Sequence, residues 1–537
     1  MQVSAACAAA AAAGTEGAAQ TPSLPGRLTL NDDGYVFLNM SDNLRGPDLR
    51  QYLQSYCRPG VDTVAYCVGD MSWPAFYPTK VGVHYDTVRA TDDLRRIRIY
   101  KNADNFASEP GGYFGTVFRL LHEFGKKALA SFRMNDAHFT STDNPNVSEF
   151  WRQHAEFALG PVYGYYGGCL NYASDVVRAH FVDRVLEFAE LYPDIDGIEL
   201  DAMRSPFFFP PDKGAEYAPL FTEMVRRIKT ALAEQAKRLN RPEYLLTANV
   251  PLTPELALEC GLDTVAWDME RLFDRVSVGT YQAYMDAPLE QWQTVLVKGT
   301  PVFAYINCSV QTGQYLGLEE YRAAAANAYG SGADGVYLFN FPCLFELAMM
   351  TPSPVEEVPM TLPDMRRQGQ PDLSTVGQTL DELGSADLLR GKDKRFLYYF
   401  NNDASYRHYS PSLAGMDRAG RQPPLKATFR CFEEFNHARG ITLRFKIENV
   451  TRTELFQVVL NGSAVDPAIL KWMYVANGRD TRIHTVTLGP HFQPEISLGP
   501  EHLRHGENVL EVVPLQLDTG LTAKINLAEI ELLLDYN

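Results

Sequence analysis

From about residue 28 to residue 350 the chain alternates two kinds of segment. Short β-branched or aromatic runs end in polar residues, and longer stretches with apolar residues at helical spacing follow them. That alternation predicts parallel strands joined by crossover helices. The predicted strands are Thr63–Gly69, Ala128–Asn135, a weak one near Gly168–Asn171, Asp196–Asp201, Tyr244–Val250, Arg275–Gly279, Val302–Asn307 and Gly335–Phe341. Eight is the number that closes a (β/α)₈ barrel. Between them, Tyr113–Phe124 places Phe114, Val117, Phe118, Leu121 and Phe124 on one helical face. Asp175–Glu190 does the same with Val177, Phe181, Val185 and Phe188, and Ser174 stands at its N-cap. Further helices are predicted over Glu216–Leu239 and, capped by Asp263, over Thr264–Leu272. Asp268 and Glu270 then lie on a helix rather than at a strand end and are not candidates for catalysis.

Beyond residue 351 the helical pattern stops. Thr351–Thr375 is rich in Pro and polar residues. Strand-like runs follow at Ile441–Val450, Leu455–Val465, Ile483–Leu488, Asn508–Leu517 and Ile525–Tyr536, with turn signals at Asn461-Gly462 and His505-Gly506. The expected fold is therefore α/β, a TIM-type barrel followed by an all-β sandwich. Its expected divisions are a disordered Ala-rich leader at 1–27, a barrel at 28–350, a linker at 351–380 and a sandwich at 381–537.

Composition narrows the partners. The 537 residues carry 49 basic and 66 acidic side chains, a net −17 that disfavours nucleic acid and polyanionic substrates. No apolar run approaches the ~20 residues of a bilayer span, so no membrane span is expected. Eight scattered cysteines with no C-x-x-C pair read as buried apolar residues, not as a zinc site or disulfide framework. The first 26 residues contain small residues but no Lys or Arg, the pattern of a signal remnant or a disordered leader. A secreted or periplasmic location is the expectation.

Candidate chemistry is sought where such barrels keep it, at the C-terminal ends of the strands. In Asp196–Asp201 the two-residue period turns Ile198 and Leu200 toward the helices and Glu199 and Asp201 into the lumen. Two lumen carboxylates are costly unless hydrogen-bonded or used. Asp201 is at the strand end. Glu199 is a layer deeper, about 6.7 Å away by strand rise, and its plainer reading is a core acid paired with Arg133 or Arg204. Asp196 begins the strand and reads as structural. The strand before presents Ser131, Arg133 and Asn135 on one face, then Asp136 and His138 in the loop. Arg133 would hold Asp201 ionised, and Asp136 or His138 would act as acid or base, against a plainer loop cap and surface histidine. Asn171, Tyr172, Asn249, Tyr281, Tyr305, Asn307 and Asn340 at other strand ends suit a neutral, hydroxyl-rich ligand, though each alone also fits a structural role. There is no H-E-x-x-H, P-loop or G-x-S-x-G, so no metal and no cofactor is expected.

Leu170-Asn-Tyr-Ala-Ser-Asp-Val-Val-Arg178, a helix, and Asp194-Ile-Asp-Gly-Ile-Glu-Leu-Asp-Ala-Met-Arg-Ser-Pro206 together resemble the signature of the glycosyl-hydrolase-like family ten barrels. Lys126–Asn135 and the Gly261–Asp274 stretch with Trp267 are similar to that group as well. In the resemblance Asp201 and Arg204 match the motif acid and arginine. Ala202 stands where the pattern has Tyr, Ala173 where it has Pro, and Glu199 fills a variable position. The resemblance covers roughly residues 60–345 and implies a glycoside hydrolase acting on a neutral poly- or oligosaccharide.

Such enzymes place two carboxyl groups across the scissile bond. Two acids on one strand do not flank a bond, so Asp201 is the expected nucleophile or base. Asp136, then Glu199, then Asp286 are the candidates for the acid. Arg133, Asn135, His138, Asn171, Arg204, Asn249, Tyr281, Tyr305, Asn307 and Asn340 are the expected sugar contacts, with Trp472 and Tyr474 as stacking candidates in the sandwich. The rival readings are a non-catalytic carbohydrate-binding or scaffold protein on a degenerate barrel, and a barrel hydrolase or isomerase with a non-sugar substrate.

Overall fold

The structure is a computed structural model that describes residues 27–82, 84–85, 93–138, 140–280, 284–308, 316–345, 373–399, 414–475, 478–480, 486–488 and 490–536. Eight parallel strands close into a barrel in chain order: β1 (Leu28–Asp32), β2 (Thr63–Asp70), β3 (Lys127–Arg133), β4 (Gly197–Asp201), β5 (Leu245–Pro251), β6 (Arg275–Gly279), β7 (Val302–Asn307) and β8 (Gly335–Phe339). β1 pairs with β8, which removes any open edge.

The weak strand near Gly168–Asn171 is not part of this barrel. Leu170 makes only an isolated antiparallel bridge to Ala158. Its place in the count is taken by Leu28–Asp32, whose alternation of Leu28 and Leu30 with Thr29 and Asn31 puts leucines against the helices. Asn135, expected inside a strand, follows the end of β3.

The period-two pattern sorts the side chains into two shells. Ile198 and Leu200 join the large core between strands and helices, whereas Ala65, Leu129, Phe303, Tyr305, Tyr337 and Phe339 fill the lumen. A packed lumen is what a barrel of this size requires. The outer shell includes helices Gly112–Glu123, Asp175–Leu191, Gly214–Arg238 and Leu318–Gly330. Asp263 caps Thr264–Met269 by accepting from the Ala266 amide at 2.9 Å. Asp268 in that helix accepts from the Lys298 and Thr300 amides, a structural use. Asp196 ties the opposite face together, accepting from the Ala128 amide at 2.7 Å and contacting His122 at 2.9 Å.

Among the described residues the C-terminal region forms two large antiparallel sheets and a two-stranded one, Gly478–Asp480 with Val486–Leu488. One large sheet is centred on Ile525–Asp535 between Gly440–Glu448 and Lys394–Tyr399, the other on Gly506–Gln516 between Leu425–Cys431 and Leu455–Leu460. Alternating burial along Gly440–Glu448 and Leu425–Cys431 shows one inward face on each. Asn461-Gly462 turns Leu455–Leu460 into Ser463–Ala464, with φ 53° and 85° at the two corner residues. Two positive φ values in a two-residue hairpin are the twist-matched turn that Asn-Gly favours. Within 351–380, residues 351–372 lie outside the described residues, and Val376–Glu382 is a helix packed on helix Gly46–Tyr56.

The barrel and the sheets share a polar joint. The Asn327 side chain, from helix Leu318–Gly330, donates to the Arg430 carbonyl at 2.7 Å and accepts from the Phe432 amide at 3.1 Å. Arg430 in turn pairs with Asp286, and with Glu290 at 2.7 Å. Asp286 is thereby engaged in this joint and does not supply an acid to the strand ends. Trp472 and Tyr474 each pack on Phe492, with centroids 5.3 Å apart in both cases. No helix among the described residues is long and apolar enough to cross a membrane.

Candidate functional site

Strand register puts the polar residues together. Asp70, Arg133, Asp201 and Asn249 stand at adjacent positions across the C-terminal ends of β2 to β5. Asp33, just past β1, pairs with Arg133 from the other side. Arg133 also donates to Asp136 at 3.1 Å, and Arg204 approaches Asp136 at 3.7 Å. With its amide oriented to satisfy its neighbours, Asn340 donates to Asp33 Oδ1 at 2.9 Å and accepts from Arg204 Nη1 at 3.2 Å. Two guanidinium groups thus knit four strand ends into one buried cluster.

Gly34 lets this cluster close. Its φ is +80°, and a Cβ there would lie 2.0 Å from the Cys67 carbonyl oxygen. Only glycine takes that conformation and that approach without a clash. The turn after β1 therefore folds directly onto β2 and carries Asp33 to Arg133.

The carboxyl groups experience opposite fields. Burial pushes Asp136 up, but the hydrogen bond from His138 and the charges of Arg133 and Arg204 outweigh it and hold the carboxyl below its ordinary range. Burial raises Asp201 against the pull of Arg133, Arg204 and the hydrogen bonds from Asn249 and Met203. Arg133 does favour the charged form of Asp201, as expected, but desolvation is the larger effect and sets the upward direction of the shift. Burial and the charge of Asp136 also raise Asp70, whose Oδ1 accepts from Ser72 Oγ at 2.8 Å. Glu199 is wholly buried, accepts from Tyr337 Oη at 2.7 Å, and lies 3.9 Å from Arg275. Its partners are not Arg133 or Arg204. Burial and nearby Asp201 push it up to about 7.

Only part of the cluster meets a cavity. Asp201 is 1% exposed and Asp136 2%. A cavity of about 150 Å³ above them is lined by Tyr35, Trp73, Arg96, His138 and Arg204, among others. His138 is the titratable link. Its Nδ1 contacts Asp136 Oδ1, its amide donates to the same oxygen at 2.9 Å, and its side chain is 36% exposed. With the proton on Nδ1 facing a carboxylate, Nε2 is left as the acceptor.

The remaining candidates divide by position. Asn249 donates to Tyr337 Oη at 2.9 Å beside Asp201, inside the lumen. Tyr305 fills the lumen, stacked on Tyr337 and Phe339. Asn307 is buried at the end of β7. Asn135 holds loops together, donating to the Leu170 and Phe207 carbonyls at 2.8 and 2.7 Å. Asn171 closes its own turn on the Ala173 amide at 2.9 Å. Tyr281 lies outside the described residues. The sequence reading passed over Asp33, Asp70, Tyr35 and Trp73. Asp70 is one residue beyond the predicted strand, and Asp33 follows the missed β1; the signals were Gly69-Asp70 and Asp32-Asp33-Gly34. Among the described residues no group of three or more His, Cys, Asp or Glu is arranged to hold a metal ion.

No family model matches the chain, and no curated protein matches it. Solved structures similar to it include α-L-fucosidase isoenzyme 2 from Paenibacillus thiaminolyticus, at 13% identity and TM-score 0.39, covering 67% of this chain and 48% of that one. A maltogenic α-amylase from Thermotoga neapolitana is 11% identical at TM-score 0.34, covering 91% of this chain and 99% of that one. A chitinase-like agglutinin from Robinia pseudoacacia is 14% identical at TM-score 0.31, covering 53% and 87%. The chain spans about half the length of the fucosidase.

Proposed function

We propose that the protein is a glycoside hydrolase that cleaves a neutral poly- or oligosaccharide at the mouth of the barrel. One observation carries this reading. Asp136 and Asp201 lie under the same two guanidinium groups, yet one is held ionised and the other is pushed toward its protonated form. Carboxyl groups driven apart in this way are how one site keeps an acid and a base together at neutral pH.

In this mechanism Asp136 stays a carboxylate, fixes the His138 ring through Nδ1 and leaves Nε2 toward the cavity to take a proton from water. Asp201 is the proton donor to the leaving oxygen, reversing the roles expected from sequence. Its carboxyl is in electrostatic contact with Arg204, which lines the cavity, so bound sugar reaches it by moving that side chain. The likeness of Asp194–Pro206 to the glycosyl-hydrolase-like family ten motif supports a place in the site for Asp201 and Arg204, which match its acid and arginine.

The test is a screen of aryl glycosides and polysaccharides with the full chain, with stereochemistry read by NMR. D201N is expected to lower kcat about 10²–10⁴-fold, the usual contribution of a positioned acid, with an unchanged melting temperature. Turnover retained in folded D201N removes the assignment. The 1% exposure of Asp201 favours a second reading, carbohydrate binding without catalysis. Retention on polysaccharide gels, unaffected by D201N and without any hydrolysis, would select it.

A further inference from the structure

Aromatic side chains continue past the cavity. The loop Pro161–Gly168, which follows β3, consists of two short helical turns broken at Gly164, where φ is 55° and ψ −121°. That kink is a glycine conformation. Beside it Tyr165 is 61% exposed. The loop is nevertheless tied down: the Gly160 amide donates to the Gly167 carbonyl at 2.8 Å, and Tyr163 Oη donates to the Phe209 carbonyl at 2.8 Å.

The rings form a connected series. Trp73, on the cavity wall, meets His138 edge-on at 6.3 Å, and His138 meets Tyr165 edge-on at 5.9 Å. Tyr165 meets Tyr166 at 5.2 Å, and Tyr166 stacks on Phe207 at 4.6 Å. Phe207 and Tyr163, 5.0 Å apart, line a second cavity of about 350 Å³ together with Pro206, Asp212 and Glu259.

We infer that this series is an extended glycan-binding track, and that the ligand of the site is a neutral chain of several sugar units, the chain running from the His138 cavity across Tyr165 to the Tyr163–Phe207 cavity. This inference rests on the sugar reading of the site. A pyranose has apolar C–H faces and a hydroxyl rim. A tyrosine matches both, with a flat apolar body and a polar tip, and loses little rotamer freedom on binding. An exposed ring on a hydrogen-bonded loop is therefore a preorganised platform. Charge selects among glycans. Asp212 and Glu259 line the far cavity, so a uronate- or sulfate-bearing unit is repelled at that end, whereas Arg95, Arg96 and Arg204 line the near one.

Affinity electrophoresis and calorimetry of the full chain test it, using barley β-glucan, galactomannan, arabinoxylan and starch with their oligosaccharide series, and carboxymethylcellulose and alginate as anionic probes. Wild type is expected to bind at least one neutral series with affinity rising with chain length and to ignore the anionic probes. Y165A is expected to stay folded, to lose about tenfold for the longer oligomers, and to flatten the dependence on length; Y165F is expected to restore it. Equal binding of long chains by Y165A and wild type, preference for the anionic probes, or retention of none of the neutral polymers overturns the inference. Hydrolysis of aryl glycosides with a Y165A that binds like wild type would leave the hydrolase standing and remove only the track. Tyr165-dependent binding without turnover would do the reverse.

Discussion

Arg133 and Arg204 act on Asp136 and Asp201 alike, so charge proximity alone does not separate those two acids. Desolvation does not either, since both are buried; the difference is His138, which bonds the charged form of Asp136 alone. Glu199 carries a stability consequence of the same kind. Its folded value of about 7 lies above the ordinary 4.5. The folded state therefore binds its proton more tightly, and the stability so contributed is complete below pH 4.5 and lost as pH rises through 7. E199Q has no proton to bind and lacks that dependence. The stability difference between E199Q and wild type should shift by about 3 kcal/mol between pH 4.5 and 7.5, measured by urea unfolding; a parallel pair of curves would rule the shift out. At this scale the sequence was readable where periodicity settled orientation, as for Glu199 and Asp201 facing inward. It was silent on partners: nothing local says that Glu199 meets Tyr337 from β8, 138 residues away.

Strands and turns were legible to the extent that their signals are local. The Ile198–Leu200 alternation and the Asn461-Gly462 corner need no distant information. The latter allows a direct check: G462A forces a Cβ into φ 85° and should cost about 1 kcal/mol in thermal unfolding, with the sheets otherwise intact. The weak segment near Gly168–Asn171 failed because a four-residue apolar-to-polar run fits a loop as well as a strand. β1 was passed over because its alternation lasts only five residues, too short a run to stand out beside the leader; its pairing with both β2 and β8 is what makes it a strand.

The whole molecule is joined by contacts between segments far apart in sequence. Arg430, in the sheets, is paired with largely buried Asp286 in the barrel. Removing one partner of a buried pair leaves an uncompensated charge and costs about 3–5 kcal/mol. R430M should therefore destabilise the joint and separate the melting of the barrel from that of the sheets in calorimetry, while R430M combined with D286N recovers much of the loss. A single unshifted transition in R430M would show that the joint contributes little. The alternating pattern of apolar and polar residues was sufficient for the class of fold, for seven of the eight barrel strands and for the inward turn of Asp201, because side-chain direction follows from the backbone repeat within a few residues. Which carboxyl is raised and which is lowered, that Asp286 serves a joint instead of the site, and that His138 rather than Asp201 faces the cavity all depend on burial and on charges brought together by barrel closure. Those are sums over neighbours distant in the chain, and no local pattern encodes them.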